Sequence, residues 1–232
     1  TGVRPVKVLS KLTDAQAFQS LLVSPRKLAV SRRIEQVQKP LADSIPENSF
    51  SLYVSIPFCP TRCSYCSFVS HSVNSAAARL DEYLGRMMEE MRQLSTISRH
   101  LGLVPDTIYF GGGTPTVLSA EQLKMLFSEL ECFDLSHIRE FTVEAGRPDT
   151  ITPEKLEAIK AAGVGRISVN PQTMNDSVLK AIGRSHDSRQ TEEAFLMARE
   201  TGFDVINMDL IAGLPTDTFD SFAEIGRASC RE

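Results

Sequence analysis

The sequence predicts an α/β fold in which helices cover a parallel sheet of short strands. Short apolar runs alternate with helical segments of ten or more residues, the length that a crossover between parallel strands requires. Polar residues and glycines follow each apolar run, and barrels place their chemistry at such strand ends. We therefore expect a partial α/β barrel that is truncated after about the fifth strand, with a doubly wound open sheet as the alternative.

Five predicted strands, rich in β-branched and aromatic residues, carry this pattern. They span 51–56, 106–110, 138–144, 166–170 and 204–211. The helices between them follow from apolar periodicity and from boundary residues such as Ser119 before one helix, Pro153 inside the start of the next and Gly163 at its end. They span 76–99, 119–131, 153–163, 175–182 and 188–201. A helix-opening G-x-G-x-x-G, which would support the doubly wound alternative, is missing.

The two ends of the sequence differ from this α/β region. Helical patterning over 11–40 is broken at Pro25, and Pro40 and Pro46 bracket a polar linker. We expect 1–49 to be the remnant of an N-terminal domain and linker, and 50–223 to be an incomplete core. Residues 224–232 match the translation of a common sequencing adapter, which predicts a non-native tail in which Cys230 has no function; a genuine polar terminus is the alternative.

Composition narrows the classes of partner. The formal net charge of −4 gives no sign of the basic surface that binds nucleic acid. No apolar run approaches the ~20 residues that a membrane-spanning helix needs, and the first residues do not resemble a signal peptide. We expect a cytoplasmic protein that binds neither nucleic acid nor membrane.

Three of the five cysteines lie in one short loop, IPFCPTRCSYCSF, with the spacing C-x3-C-x2-C. Such clustering favours a metal site over disulfides in a cytosolic chain. Cys59, Cys63 and Cys66 suit an iron-sulfur cluster in which one iron has no protein ligand. A zinc knuckle is the alternative, but it needs a fourth ligand, for which His71 is the nearby candidate.

The cysteine loop, with Tyr65 before its third cysteine, resembles the radical S-adenosylmethionine (SAM) superfamily. The resemblance implies a (β/α)6 partial barrel and a [4Fe-4S] cluster on Cys59, Cys63 and Cys66. It also implies that SAM binds the open iron and is cleaved to methionine and a 5′-deoxyadenosyl radical. The protein then binds and orients cofactors that carry the chemistry. A flavodoxin-like or ferredoxin-like protein is the expected electron donor.

Polar residues and glycines at successive strand ends are candidate SAM contacts. Glycines let a backbone approach a ligand, Glu144 suits an ammonium group, Arg184 a carboxylate and Asp209 ribose hydroxyls. Taken alone, each of these glycines could simply form a turn, and each of these polar side chains could simply be solvated. The full set is Tyr53, Tyr65, Gly112, Gly113, Thr114, Glu144, Gln172, Arg184 and Asp209. His186, just after Arg184, is a further candidate near the mouth of the barrel.

Within the superfamily, these positions resemble the SAM-contacting pattern of oxygen-independent coproporphyrinogen III oxidases over about residues 50–223. The segments EAGRPDTI, SVNPQTMND and IGRSHD are most similar to the HemZ-type coproporphyrinogen dehydrogenases. The resemblance implies a radical SAM oxidoreductase that decarboxylates coproporphyrinogen III, a tetrapyrrole, to protoporphyrinogen IX in haem biosynthesis. We expect the substrate pocket of this fragment to be incomplete.

One residue departs from the better-studied oxidases, which have a further cysteine where this sequence has Phe68. The haem-chaperone branch of the family also has an aromatic residue there. A haem chaperone on the same scaffold therefore remains an alternative function, as does another radical SAM reaction such as methyl transfer.

Overall fold

The computed structural model describes residues 5–68 and 71–229. The chain divides into two units, Thr1–Glu47 and Asn48–Glu232. Helices form the first unit, and the second is an α/β unit that contains every residue predicted to hold a cluster or SAM. The second unit therefore positions the candidate site.

Three helices build the first unit around a small core of Leu9, Ala17 and Leu28. They are α1 (Pro5–Leu9), α2 (Asp14–Leu21) and α3 (Pro25–Asp43). Ser24 caps α3 by accepting the N–H of Lys27. Pro40 lies inside α3, so the linker predicted to begin there is wrong. Pro40 has no N–H, so the helix lacks one backbone hydrogen bond in its last turn.

Five strands form the main sheet of the second unit. They are β1 (Ser49–Ile56), β4 (Val104–Gly112), β5 (Glu140–Glu144), β6 (Arg166–Ser168) and β7 (Val205–Asn207). A separate parallel pair joins β2 (Phe58–Cys59) to β3 (His71–Ser72), close to the cysteine loop. Every strand of the main sheet pairs in parallel with its neighbour, which confirms the predicted parallel sheet.

The order of these five strands separates the two predicted architectures. They lie side by side in chain order, β1-β4-β5-β6-β7. A doubly wound sheet turns back at a switch point, and the described sheet has no such reversal. Right-handed crossovers that always advance in one direction place the connecting helices on one face, as in a barrel. The partial barrel is confirmed and the doubly wound alternative is wrong.

The second unit has six described α-helices, four of which begin at side-chain caps. They are α4 (Val73–His100), α5 (Ala120–Ser128), α6 (Pro153–Ala161), α7 (Asp176–Ala181), α8 (Ser188–Glu200) and α9 (Phe219–Ser229). Ser119, Thr152, Asn175 and Asp187 each accept an N–H of the first turn of the helix that follows. Each cap satisfies a donor that a helix start leaves unpaired. Among the described helices, none is long and apolar enough to cross a membrane.

Two differences from the predicted segments concern the last strand and the tail. The strand expected over 204–211 ends at Asn207, because the N–H of Asp209 donates to the side chain of Asn170 instead of a strand ladder. Leu210 then forms a single bridge with Gln172. Helix α9 covers 219–229 and so includes the start of the tail predicted from residue 224. The rest of that tail, Cys230 included, lies outside the described residues.

Alternate residues of the central strands face opposite sides of the sheet. Phe110 of β4 and Phe141 of β5 are buried in the main core, and the ring of Phe110 packs 5.1 Å from that of Phe127 on α5. Tyr109 of β4 and Glu144 of β5 lie an odd number of residues from these phenylalanines, so they face the other side of the sheet. The helix-covered face therefore stabilises the unit, and the opposite face is left to carry the candidate site.

Candidate functional site

The cysteine loop leaves β2 at the end of the main sheet where β1 finishes. Cys59, Cys63 and Cys66 are all unpaired by disulfides and partly exposed. The N–H of Ser64 donates to the carbonyl of Ile182 at 3.0 Å, and that of Cys66 to the carbonyl of Cys63 at 3.1 Å. The three thiols are therefore held on one short, anchored segment.

Two of the three sulfurs receive hydrogen bonds from buried side chains. The hydroxyl of Thr114 donates to Cys59 Sγ at 3.5 Å, and the guanidinium of Arg147 to Cys63 Sγ at 3.6 Å. Thr114 is fixed because its own N–H donates to the carbonyl of Phe58 at 2.8 Å. These two contacts fix the positions of both sulfurs within the loop.

The glycine segment after β4 packs directly on the chain that enters the cysteine loop. A Cβ on Gly113 would lie 2.5 Å from the carbonyl oxygen of Phe58, so only glycine fits. The N–H of Gly113 donates to the carbonyl of Ile56 at 2.8 Å, so it and the N–H of Thr114 are used within the protein. The segment therefore fixes the cysteine loop as well as bordering the site.

Gly111 lies among three polar side chains on the face opposite the core. A Cβ there would lie 2.8 Å from the ring of Tyr109, 3.1 Å from the hydroxyl of Tyr53 and 3.2 Å from a carboxylate oxygen of Glu144. The rings of Tyr53 and Tyr109 stack with centroids 5.7 Å apart. Three strand ends thus bring two aromatic rings and a carboxylate to one place.

Glu144 is the acidic centre of this group. It accepts the hydroxyl of Tyr109 at 2.5 Å and the N–H of Gly112. Burial and the negative charge of Asp209 raise the pKa of Glu144, although the two donors oppose that rise. Burial and the bond to Glu144 also raise the pKa of Tyr109. A cation placed here would offset the cost of burying this carboxylate.

Arg184 lies between the cysteine loop and β5. Its Nη2 donates to the hydroxyl of Tyr65 at 2.8 Å, and its Nη1 to the carbonyl of Gly146 at 3.4 Å. Arg184 is half-buried, and burial raises the pKa of Tyr65 while Arg184 opposes the rise. A cationic fork therefore lies next to the residue that precedes the third cysteine.

Gln172 and Asp209 lie on paired segments beyond β6 and β7. The N–H of Gln172 donates to the carbonyl of Asp209 at 3.0 Å, and the carbonyl of Gln172 accepts the N–H of Ile211 at 3.0 Å. Gln172 is buried, with a φ of 66°, and Asp209 is exposed and accepts the side chain of Asn207 at 2.8 Å. This part of the site offers an exposed carboxylate at the sheet edge.

A buried ionic group lies beneath the cysteine loop, and of its three residues the sequence had suggested only His186 as a site candidate. Arg147 donates to Asp149 through Nε and Nη2, both at 3.1 Å, and through Nη2 to the hydroxyl of Thr61 at 3.1 Å. The Nδ1 of His186 lies 3.5 Å from Asp149. Burial opposes ionisation of Asp149, but His186 and Arg147 outweigh it and hold its pKa well below the usual range.

Comparison with protein families decides what kind of site this is. The family model described as the radical SAM superfamily matches residues 53–228. The chain belongs to the radical SAM superfamily. Membership implies a [4Fe-4S] cluster and SAM as cofactors.

Similar proteins place this radical SAM chain among the HemN, HemZ and HemW types. It is 40% identical to the oxygen-independent coproporphyrinogen-III oxidase-like protein HemZ of Bacillus subtilis, over 96% of the chain and 47% of that protein. It is 42% identical to the heme chaperone HemW of B. subtilis over 72% of the chain and 44% of that protein. The chain thus spans about half the length of these relatives.

A solved structure supports the same grouping. Coproporphyrinogen III oxidase HemN from Escherichia coli superposes with a TM-score of 0.71 and 31% identity, covering 84% of this chain and 44% of that protein. The fold of the radical SAM superfamily is therefore the fold of this chain.

The residues of the loop fit a four-iron cluster better than a single zinc ion. Ligands of a cluster bind different irons, so they need not converge on one point, whereas structural zinc needs four donors around one ion. In the described ranges, no three His, Cys, Asp or Glu side chains converge in a way that would hold one ion. His71 lies on β3, with its ring 6.5 Å from that of Phe58. Three cysteines on one loop match in number the three irons of a cluster that keeps one iron open.

Tyr109, Arg147 and Asp149 contribute to the site although the sequence analysis did not select them. Tyr109 pairs in register with Tyr53 across β1 and β4, so strand alternation carried a signal for it. Arg147 and Asp149 lie in the EAGRPD segment but look like solvated charges in a sequence. Their burial depends on how the cysteine loop packs on the end of β5, which no local pattern shows.

Proposed function

We propose that this chain binds a [4Fe-4S] cluster through Cys59, Cys63 and Cys66 and uses it to cleave SAM reductively. The observation that carries the proposal is that Arg184, from the segment after α7, donates both to Tyr65 of the cysteine loop and to the carbonyl of Gly146, two residues beyond the carboxylate of Glu144. An amino acid has the complementary pair of charges. The site therefore suits the methionine part of SAM.

Each polar residue has a role in holding SAM under this proposal. Glu144 pairs with the ammonium group, and its buried carboxylate gains from doing so because burial alone destabilises its charge. Arg184 binds the carboxylate and Asp209 the ribose hydroxyls. The remaining contacts come from residues that line the same strand ends: Tyr53, Tyr65, Gly112, Gly113, Thr114 and Gln172.

When bound, the cluster and SAM supply a one-electron cleavage that yields a carbon radical able to take hydrogen from a substrate. The protein contributes binding, orientation and exclusion of water. The stacked rings of Tyr53 and Tyr109 form an apolar wall beside Glu144. A flavodoxin-like or ferredoxin-like protein is the electron donor in this proposal.

The proposed substrate is coproporphyrinogen III, two of whose propionates become vinyl groups with loss of CO2, while an external acceptor takes the remaining electrons. Support comes from the similarity to HemZ, an oxidase-like protein, which extends over 96% of the chain and so includes the first helical unit. Oxygen-independent coproporphyrinogen III oxidase of Salmonella typhimurium is 34% identical over 77% of the chain.

The test uses the whole protein that contains this chain, anaerobically reconstituted and incubated with coproporphyrinogen III, SAM and dithionite. Chromatography should show protoporphyrinogen IX and 5′-deoxyadenosine. The cysteine variant Cys63→Ala is the negative control and should yield neither product. Formation of 5′-deoxyadenosine without any loss of coproporphyrinogen III would retain SAM cleavage but reject this substrate.

A haem chaperone is the second candidate function. Phe68, which is 60% exposed beside the cysteine loop, stands where oxidases of this family have a cysteine, and HemW is 42% identical over 72% of the chain. Stoichiometric haem binding with no protoporphyrinogen IX would favour the chaperone. A methylated product in the same assay would favour methyl transfer instead.

A further inference from the structure

Arg147 is an unusually buried cation directly behind the cysteine loop. Its side chain is 4% exposed, compared with 14% for Asp149 and 0% for His186. Burying a guanidinium is costly unless its charge and its N–H groups are satisfied. None of the residues that we propose to contact SAM belongs to this group. Binding of SAM therefore does not explain why Arg147, Asp149 and His186 are buried.

The contacts of Arg147 connect the end of β5 to the cysteine loop. Its Nη1 lies 3.5 Å from the carbonyl of Thr61 and 3.6 Å from Cys63 Sγ, and its Nη2 donates to the hydroxyl of Thr61 at 3.1 Å. Thr61 itself donates to the carbonyl of Gly183 at 3.0 Å. One guanidinium therefore binds both the backbone and a sulfur of the loop.

The backbone of Arg147 is held just as firmly. Its carbonyl accepts the N–H of Thr150 at 2.9 Å and the hydroxyl of Thr150 at 2.8 Å. Lys155 donates to the carbonyls of Thr116 and Thr150, at 2.6 and 2.9 Å, and anchors the same turn to the segment after the glycines. Arg147 is therefore a cation in a fixed place, not a mobile surface charge.

A fixed positive charge against a cluster ligand has a predictable electrostatic effect. Reduction adds an electron to the cluster, and net charge and hydrogen bonds to its sulfurs set its potential. Attraction between charges is strong where burial excludes water. Asp149 carries the opposite charge on the far side of the guanidinium, so it weakens the effect of Arg147 on the sulfur.

We propose that Arg147 is a positioning residue that holds the cysteine loop through Thr61 and raises the reduction potential of the cluster through Cys63, with Asp149 limiting that rise. The inference rests on the proposed function, since it requires that the loop hold a cluster. It gives the buried group under the loop a role in making the cluster easier to reduce.

The test is an anaerobic redox titration of the reconstituted full chain, followed by the EPR signal of the reduced cluster. At the wild-type midpoint potential, Arg147→Gln should show about a tenfold lower ratio of reduced to oxidised cluster, a shift of about 59 mV for one electron. Asp149→Asn, which leaves the cation uncompensated, should shift the midpoint in the opposite direction. Arg147→Lys retains the charge but not the fork and should shift it less than Arg147→Gln.

A matched control comes from Arg139, which makes a comparable fork to Asp106 at the other end of the sheet, with both bonds at 2.6 Å. Arg139→Gln should leave the midpoint unchanged. A purely structural role for Arg147 predicts less cluster per chain but an unchanged midpoint in the clusters that remain, and that result would overturn the inference.

The remaining outcomes separate the two proposals. A wild-type chain that takes up no four-iron cluster would reject the proposed function and this inference together. A loaded wild-type chain with an unshifted Arg147→Gln variant rejects only the inference. If Arg147→Gln does not fold, Asp149→Asn decides, since a midpoint at or below the wild-type value would contradict the assigned charge effect.

Discussion

The carboxylates at the two ends of strands β4 and β5 differ in how far their negative charge is compensated by neighbouring groups. At the amino ends, Asp106 is buried and accepts two hydrogen bonds from Arg139. At the carboxyl ends, Glu144 is held by neutral donors and lies near the negative Asp209. The bonds from Arg139 lower the pKa of Asp106 even though burial opposes this, whereas burial raises the pKa of Glu144.

The difference shows that one end of the sheet contributes to folding stability and the other end is suited to binding a ligand. A carboxylate whose charge is already compensated contributes to folding stability and has little to offer a ligand. A carboxylate whose charge is left uncompensated costs stability, and perturbed groups of this kind concentrate at functional sites. In this chain Glu144, whose charge is left uncompensated, lies at the carboxyl end of β5.

The largest expected effect comes from the cysteines at the carboxyl end. Replacing Cys59, Cys63 or Cys66 singly by alanine should abolish the four-iron centre, because two thiolates cannot hold three corners of a cluster. Iron and sulfide analysis after anaerobic reconstitution measures this. Cys132→Ala, which changes a partly buried thiol in the core, is the matched control and should retain wild-type iron. A cluster that survives loss of Cys63 would refute the assignment.

The next effect separates two glutamates of the same strand. Glu144→Gln should weaken SAM binding by roughly 10- to 100-fold, since a hydrogen bond between charged groups contributes about 1.5–3 kcal/mol. Glu140→Gln, at the amino end of β5, should leave SAM affinity unchanged. Equilibrium dialysis with labelled SAM measures both variants. Equal losses of affinity would mean that the two ends do not differ as described.

Asp106→Asn tests the contribution to folding stability of the carboxylate at the amino end of β4. It should lower the free energy of unfolding at neutral pH by about 1–3 kcal/mol, because Arg139 loses a charged partner. Because the folded pKa of Asp106 is lowered, this contribution is present above about pH 4 and is lost as the pH falls further. Urea unfolding at neutral and acid pH should therefore show variant and wild type converging in acid. A constant difference would contradict the assigned cause.

The smallest effect is a pH dependence at the binding end. Glu144 must be ionised to pair with an ammonium group, and its raised pKa means that SAM affinity should fall as the pH drops, at values above the ordinary glutamate pKa of about 4.3. The affinity of Glu144→Gln should lack this step, whereas Glu140→Gln should retain it. Binding isotherms over a pH series provide the measurement.

The sequence predicted much of this arrangement, because strong local signals carried it. The cysteine spacing, the strand-end glycines and the helix starts marked by Ser119 and Pro153 are patterns within a few residues. Strand β7 was predicted too long because a side chain, Asn170, takes the backbone N–H that the ladder would use. Helix α3 runs through Pro40 to Asp43, so the proline does not end the helix as the sequence pattern suggested.

The buried partners of the site lay beyond such patterns. Arg147, Asp149 and His186 come together only when the cysteine loop, the end of β5 and the segment after α7 pack against one another. A charged residue in a sequence is most often solvated, so tertiary packing alone reveals that this arginine is buried. The additional bond from Thr114 to Cys59 is of the same kind.

The most direct test of the central claim is the EPR spectrum of the anaerobically reconstituted and reduced chain, recorded with and without SAM. We expect a four-iron signal that changes on addition of SAM, because SAM binds the iron that Cys59, Cys63 and Cys66 leave without a protein ligand. A four-iron signal that is identical with and without saturating SAM, or no such signal in fully iron-loaded and sulfide-loaded protein, would contradict it.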